Sequence, residues 1–270
     1  MYKPIIVFAY LYLLFFSVST FAQGDLYVTP NRVILEGRKM NEVLSLANTG
    51  DKAATYSISF VQRRMNEDGS FTSIDAPDEG APFADPYLRI YPRQVTLEPK
   101  EGQSIVLQVR RTVNMPDGEY RSHIYFRSEN DYAPLSKETN DTLKTVSVKL
   151  IPIFGISIPI IIRIGNVSAT ATLNDLSLDL KNQKNELTFN LNREGNASVF
   201  GDLKVEYIQE NKKPVEIGAM NGVAVYTNIK KRKIAIKVNI EDISLNKGKI
   251  KVSYLSREDA SVLAEAEIKF

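Results

Sequence analysis

The sequence predicts an all-β protein made of two successive β-sandwiches, and three observations predict it. Short alternating or β-rich runs recur along the chain with turn residues between them. No stretch beyond residue 22 sustains an apolar period of 3.6 residues, which excludes an amphipathic helical core. The strand pattern breaks near residues 164–166 and then restarts, so the chain holds two units of similar kind.

The chain opens MYKPIIVFAYLYLLFFSVSTFA, with Lys3 ahead of an apolar run over residues 5–16 and small or polar residues up to Ala22. That order is a secretory signal peptide cut after Ala22; the alternative, for a segment close to spanning length, is a retained anchor. There is no cysteine, so neither disulfides nor a cysteine-linked lipid can secure the chain, and its core must hold it together. Removing 22 residues from 270 leaves 248, enough for two domains of about 100 to 150 residues. The division expected is 1–22 signal peptide, 23–164 N-terminal domain and 165–270 C-terminal domain.

Net charge is +2, or +1 once Lys3 is lost with the leader. That balance excludes a nucleic-acid-binding surface, which needs clustered basicity. The basic run KKRK at residues 230–233 reads as a solvated hairpin turn.

In the first unit LYVTPNRVILEG, NEVLSLANTG, ATYSISFVQRR, YLRIYPRQVTLEP, QSIVLQVRRT and EYRSHIYFRSE are strands, separated by turns such as residues 48–51 and 115–118. With one further strand the count and spacing fit an immunoglobulin-like sandwich. The polar segment 66–86 reads as a loop crossing between sheets, and 128–143 as a second, unusually long loop. In the second unit ATATLNDLSLDLK, NELTFNLNREG, GDLKVEYIQ, GVAVYTNI, KIAIKVNI, GKIKVSYLS and LAEAEIKF repeat the pattern.

The last strand of the first unit, KLIPIFGISIPIIIRIG at 149–165, has no charge from Leu150 to Ile162. It is too short to span a membrane, and Pro152 and Pro159 exclude a helix. Side chains alternate faces along a strand. The even positions from Val146 to Ile162 are all apolar, and the odd ones are mixed. Extended from residue 146, the run would reach on the order of 55 Å, more than one small sandwich covers. Its apolar side should therefore leave the sandwich as a partner-binding edge, where prolines are tolerated. The alternative is a strand broken at Gly155 whose halves serve the two sheets of one core.

Taken together, NRVILEG, VLSLANTGDKAATYSISF, YPRQVTLEPKEGQSIVLQV, DGEYRSHIYFR, GISIPIIIRIG and LNREGNASVFGDLKVEY resemble the periplasmic pilus-assembly chaperones of the chaperone/usher pathway, over nearly the whole mature chain. The last of these is similar to the Arg-x-Gly-Asn and Gly-Asp-Leu pattern of the non-classical (archaic or alternative) branch. The resemblance implies two immunoglobulin-like domains set as a boomerang. It also implies a chaperone that stabilises pilus or fimbrial subunits by donor-strand complementation, a form of β-augmentation, and delivers them to an outer-membrane usher. On this resemblance Val148, Leu150, Pro152 and Phe154 are the central donor residues, with Val146 and Ile156 at the margins. Each buried donor side chain would contribute about 1.5 to 3 kcal/mol.

The resemblance further implies that Arg32 anchors the subunit's C-terminal carboxylate, which a guanidinium can hold through two parallel hydrogen bonds. Classical members place a lysine four residues before the arginine that closes the last strand; here Arg163 closes it and Pro159 stands at that position. Lys149 and Arg163 are the candidates for the second cation. The classical glutamate position is Arg121, and Glu119, two residues earlier on the same face, is the substitute available. Pro134 lies in the loop expected to face the usher. The implied partners are pilus subunits and an usher, with no nucleic acid, no small-molecule substrate, no cofactor and no metal. Self-capping as a dimer is one state open to the free protein, and the implied compartment is the periplasm.

An enzyme is poorly supported. His123 is the one histidine and sits in a strand, and the chain has no cysteine nucleophile, phosphate-binding glycine loop or metal-ligand cluster. The competing reading is an immunoglobulin-like structural or adhesive surface protein, because sandwich folds host many functions.

Overall fold

The computed structural model describes residues 26–110, 115–129, 154–180, 185–241, 245 and 248–270. They form two β-sandwiches of immunoglobulin-like type. In the first, one sheet orders its strands β1 (Leu26–Thr29), β3 (Asn41–Asn48), β9 (Gly102–Val109) and β7 (Leu88–Tyr91). The facing sheet is β2 (Val33–Glu36), β11 (Gly155–Ile164), β10 (Gly118–Glu129), β4 (Ala54–Val61) and β8 (Gln94–Leu97). All pairings are antiparallel except β2 with β11.

Alternation builds this core. Leu44, Leu46, Ile105 and Leu107 point inward from one sheet, and Leu35, Ile58, Ile124, Phe126, Ile160 and Ile162 from the other. Asn48 closes β3 although it is buried. Its amide donates to the carbonyls of Lys52 and Leu97 and its oxygen accepts from the Gly50 N–H, so the turn costs no unpaired polar group.

The second sandwich packs β12 (Ala169–Asp179), β13 (Glu186–Gly195) and β16 (Lys231–Lys237) against β15 (Val215–Val225), β14 (Val199–Gln209), β17 (Gly248–Ser256) and β18 (Val262–Lys269). Its core centres on Leu187, Leu191, Val205, Val225, Ile250, Val252 and Tyr254.

Several expectations need correction. The run LYVTPNRVILEG is two strands, because Pro30 lacks the N–H to continue a ladder and the chain changes sheet there, between β1 and β2. Segment 66–86 is more than a crossing loop. It completes a hairpin of β5 (Arg63–Met65) and β6 (Phe71–Ser73), turned at Gly69 with φ of 84°, and ends in a 3-10 turn, Asp85–Tyr87. Ser128 and Glu129 belong to β10, paired with Tyr56 and Thr55. The KKRK run is no turn: Lys231, Arg232 and Lys233 open β16 and pair with Asn192, Leu191 and Asn190.

The strand β11 is also not an edge throughout. From Ile160 to Arg163 it lies between β10 and β2, and only residues 155–159 have β10 alone as a ladder partner. Pro159 is the last residue before β2 joins.

Candidate interdomain binding site

The sheet change at residues 30–32 fixes the first site residue. Arg32 follows the break and extends toward the second sandwich, its guanidinium carbon 4.2 Å from the centre of the Phe200 ring. That is cation–π distance. Its Nε and one terminal nitrogen are buried and, among the described residues, have no hydrogen-bond partner. Burial first, then the charge of Arg121, lowers its pKa to about 10. Desolvating a guanidinium without pairing its donors is costly, so the arrangement is poised for an anion.

Beside it the two sandwiches meet on one carboxylate. Glu119 on β10, Arg163 on β11 and Glu36 on β2 lie in one row across the sheet. Odd-numbered positions on β10 and β11, and even-numbered ones on β2, face away from the first core. Glu119 is buried, ion-paired to Arg121, and accepts from Arg163 Nε at 3.3 Å. Across the junction it accepts from both the backbone N–H and the hydroxyl of Ser198, at 2.9 and 2.8 Å. Burial alone would raise its pKa, but Arg121, the Ser198 N–H, Arg163 and the Ser198 hydroxyl together bring it down to about 2. Arg121 in turn stacks on the Tyr226 ring at 3.5 Å.

The REGNASVFGDL stretch presents Ser198. Arg193 is buried and donates to four backbone carbonyls, those of Gly195, Ala197, Thr227 and Ile229. One guanidinium thus shapes the loop that carries Ser198. Gly201 sits so close to β17 that a Cβ there would lie 2.2 Å from the Leu255 carbonyl oxygen. Asp202 accepts from the Gly222 N–H and from Arg257, while Arg257 flanks the Phe200 ring at 5.6 Å.

The β5–β6 hairpin ties the junction from its other side. The Lys233 N–H donates to the Glu67 carbonyl at 2.6 Å, and Asn228 donates to the Met65 carbonyl at 2.8 Å. Met65 is buried with Ala224 and Tyr226. Phe71 and Tyr226 enclose His123, whose pKa is pushed down to about 3 by burial, then by the charges of Arg121, Arg63 and Arg32. This histidine is a neutral packing group.

Between these parts lies a cavity of about 400 Å³ whose wall includes Arg32, Pro159, Phe200, Tyr226, Arg232 and Arg257. Arg232 escaped the sequence reading. The signal was parity: Arg232 shares its face of β16 with Ile234 and Ile236, both buried.

The structure places the other expected residues as follows. Arg163 does not wall the cavity; it is committed to Glu119, with Glu36 and the Ser198 carbonyl at 3.4 and 3.5 Å. Lys149, Val146, Val148, Leu150, Pro152 and Pro134 lie outside the described residues. On β11, Ile162, Ile160 and Ile158 are in the core of the first sandwich and Ile156 is half-buried against it. Phe154, next on the same face, is 53% exposed.

The fold and site thus define a class: two immunoglobulin-like sandwiches joined over a buried carboxylate, with a cationic cleft between them. No family model matches the sequence, and no curated protein matches it. Among solved structures the chain is similar to the YadV chaperone, at 12% identity over 92% of this chain and 100% of that one, TM-score 0.46. It is similar to a CsuC–CsuE chaperone–tip adhesion subunit pre-assembly complex from archaic chaperone-usher Csu pili of Acinetobacter baumannii, at 12% identity over 91% and 99%, TM-score 0.46. It is also similar to the Salmonella enterica SafA pilin in complex with the SafB chaperone, at 12% identity over 92% and 97%, TM-score 0.44. At such identities and scores the likeness carries no function across, and the chain's own residues must supply the reading.

Proposed function

We propose that this protein is a periplasmic chaperone that binds pilus or fimbrial subunits lacking a strand, by lending them the segment leading into β11, and hands them to an outer-membrane usher. Residues 1–22 serve as its signal peptide, and the two domains divide between residues 164 and 165. The observation that supports this best is the even-numbered face of β11, which starts in the core at Ile162, Ile160 and Ile158 and leaves it through Ile156 to an exposed Phe154. An apolar row that passes from inside a sandwich to its outside is suited to completing a second, open sandwich by β-augmentation. Arg32, whose Nε and one terminal nitrogen have no partner among the described residues, supports the same reading, since the end of a bound chain would bring a carboxylate to it.

Co-expression with candidate subunits followed by affinity capture tests the proposal. A strand-deficient subunit should be recovered with the wild type and lost with Leu150→Asp or Phe154→Asp, each of which would bury an unpaired charge in the complex. Arg32→Ala should weaken capture by about 1.5 to 3 kcal/mol. Recovery of no such partner, or unchanged capture by all three variants, would refute it.

A further inference from the structure

We propose that Arg232, contributed by the second sandwich, is the second cation of the carboxylate site, so that a bound chain-terminal carboxylate is held by one guanidinium from each domain. This rests on the chaperone reading in taking a chain terminus as the occupant. Pro159 leaves the first domain without a cation at this wall of the cavity, and Arg163 is spent on Glu119. Among the described residues Arg32 and Arg232 wall the same cavity and neither pairs with a carboxylate, whereas Arg257, also on its wall, is bridged to Asp202.

The backbone holds Arg232 in place while leaving donors to spare. One terminal nitrogen donates to the Ala224 carbonyl at 2.8 Å, and Nε is buried with no hydrogen-bond partner among the described residues. The turn of the β5–β6 hairpin presses on the same group. A Cβ on Gly69 would fall 2.3 Å from the other terminal nitrogen, so only glycine leaves the guanidinium where it is. Two planar forks with N–H groups to spare, on the wall of a cavity that Phe200 also lines, form a receptor for a planar two-oxygen anion followed by an apolar side chain. A C-terminal amide offers one oxygen and no charge, and so should be rejected.

The test uses the whole mature protein and a small probe, so that it stands apart from subunit capture. N-acetyl-phenylalanine as its carboxylate, and separately as its amide, is titrated into uniformly ¹⁵N-labelled protein while the arginine Nε–Hε resonances are followed. The carboxylate should shift the Arg32 and Arg232 signals with one common midpoint, and the amide should shift neither. Arg232→Gln should weaken carboxylate binding about tenfold, and Arg32→Gln by a similar factor. Should Arg232→Gln fail to fold, Arg232→Lys keeps the charge without the fork and should still weaken binding about threefold. Binding unchanged in the Arg232 variants, or equal shifts with the amide, would overturn the inference and leave the chaperone reading intact. No carboxylate binding by the wild type would also overturn it. Failed subunit capture together with intact probe binding would sink the chaperone reading and leave a two-domain carboxylate site.

Discussion

Glu119 of the first sandwich accepts both the backbone N–H and the hydroxyl of Ser198 in the second, at 2.9 and 2.8 Å, making one carboxylate the meeting point of the two domains. Arg121 and Arg163 complete its shell from the first sandwich.

Stability should therefore depend on acid in a defined window. Glu119's native pKa of about 2 lies below the 4.5 usual for a glutamate. The stability it supplies is complete above pH 5 or so, where both states are ionised, and is lost as pH falls from 4.5 toward 2 and the unfolded chain takes up the proton first. Urea unfolding at a series of pH values should show this loss, on the order of 3 kcal/mol, in the wild type. Glu119→Gln should be less stable at neutral pH and lack that part of the slope.

His123 should add a second acid-sensitive step at higher pH. Its native pKa of about 3 is below the 6.5 usual for a histidine, so it contributes stability above pH 6.5 and loses it as pH falls toward 3. As the chain's one histidine, it gives a ring-proton resonance that should not titrate between pH 7 and 4. His123→Phe, which keeps a ring against Phe71 and Tyr226, should be more stable than the wild type at pH 5; an equal or lower midpoint would contradict this.

The strands that flank Ser198 should be fragile at two positions. Arg193→Ala strips donors from four carbonyls and should cost about 3 kcal/mol, with Arg193→Lys recovering only part. Gly201→Ala forces a methyl against the Leu255 carbonyl and should cost about 1 to 3 kcal/mol. Chemical denaturation of the full chain measures both.

Donor function and stability should separate along β11. Phe154→Asp alters an exposed side chain and should leave the melting temperature within a few degrees while abolishing subunit capture. Ile158→Asp, on the same face but 4% exposed, should unfold the first sandwich. Loss of folding in both variants would mean that Phe154 belongs to the protein's own core.

Period-two alternation made nearly every strand of both sandwiches legible, including the single apolar face of β11, because burial on one side of a sheet writes itself directly into sequence. What did not read out was set by chain crossings. Pro30 looked like one residue within a strand, yet the change of sheet there aims Arg32 at Phe200, 168 positions away. Glu119 was visible as the available partner of Arg163, while Ser198 was not, because its role depends on Arg193 folding a loop through backbone carbonyls that carry no sequence signal. KKRK was misread because charge runs are usually solvated. Carrying the alternation back from Ile236 and Ile234 would have set Arg232 apart from its two lysine neighbours.

Among the described residues, arginines outnumber carboxylates at the junction. Arg32, Arg121, Arg163 and Arg193 all sense the charge of one buried carboxylate, Glu119, so the free protein holds like charges together where its two sandwiches meet. Most proteins whose charges pair well lose stability when salt screens them. Here added anions should do the opposite, raising the melting temperature of the free chain, and the effect should shrink once the carboxylate of the proposed client offsets part of the excess positive charge. Cargo would then be felt by its carrier as the ion that lets the two halves sit quietly together.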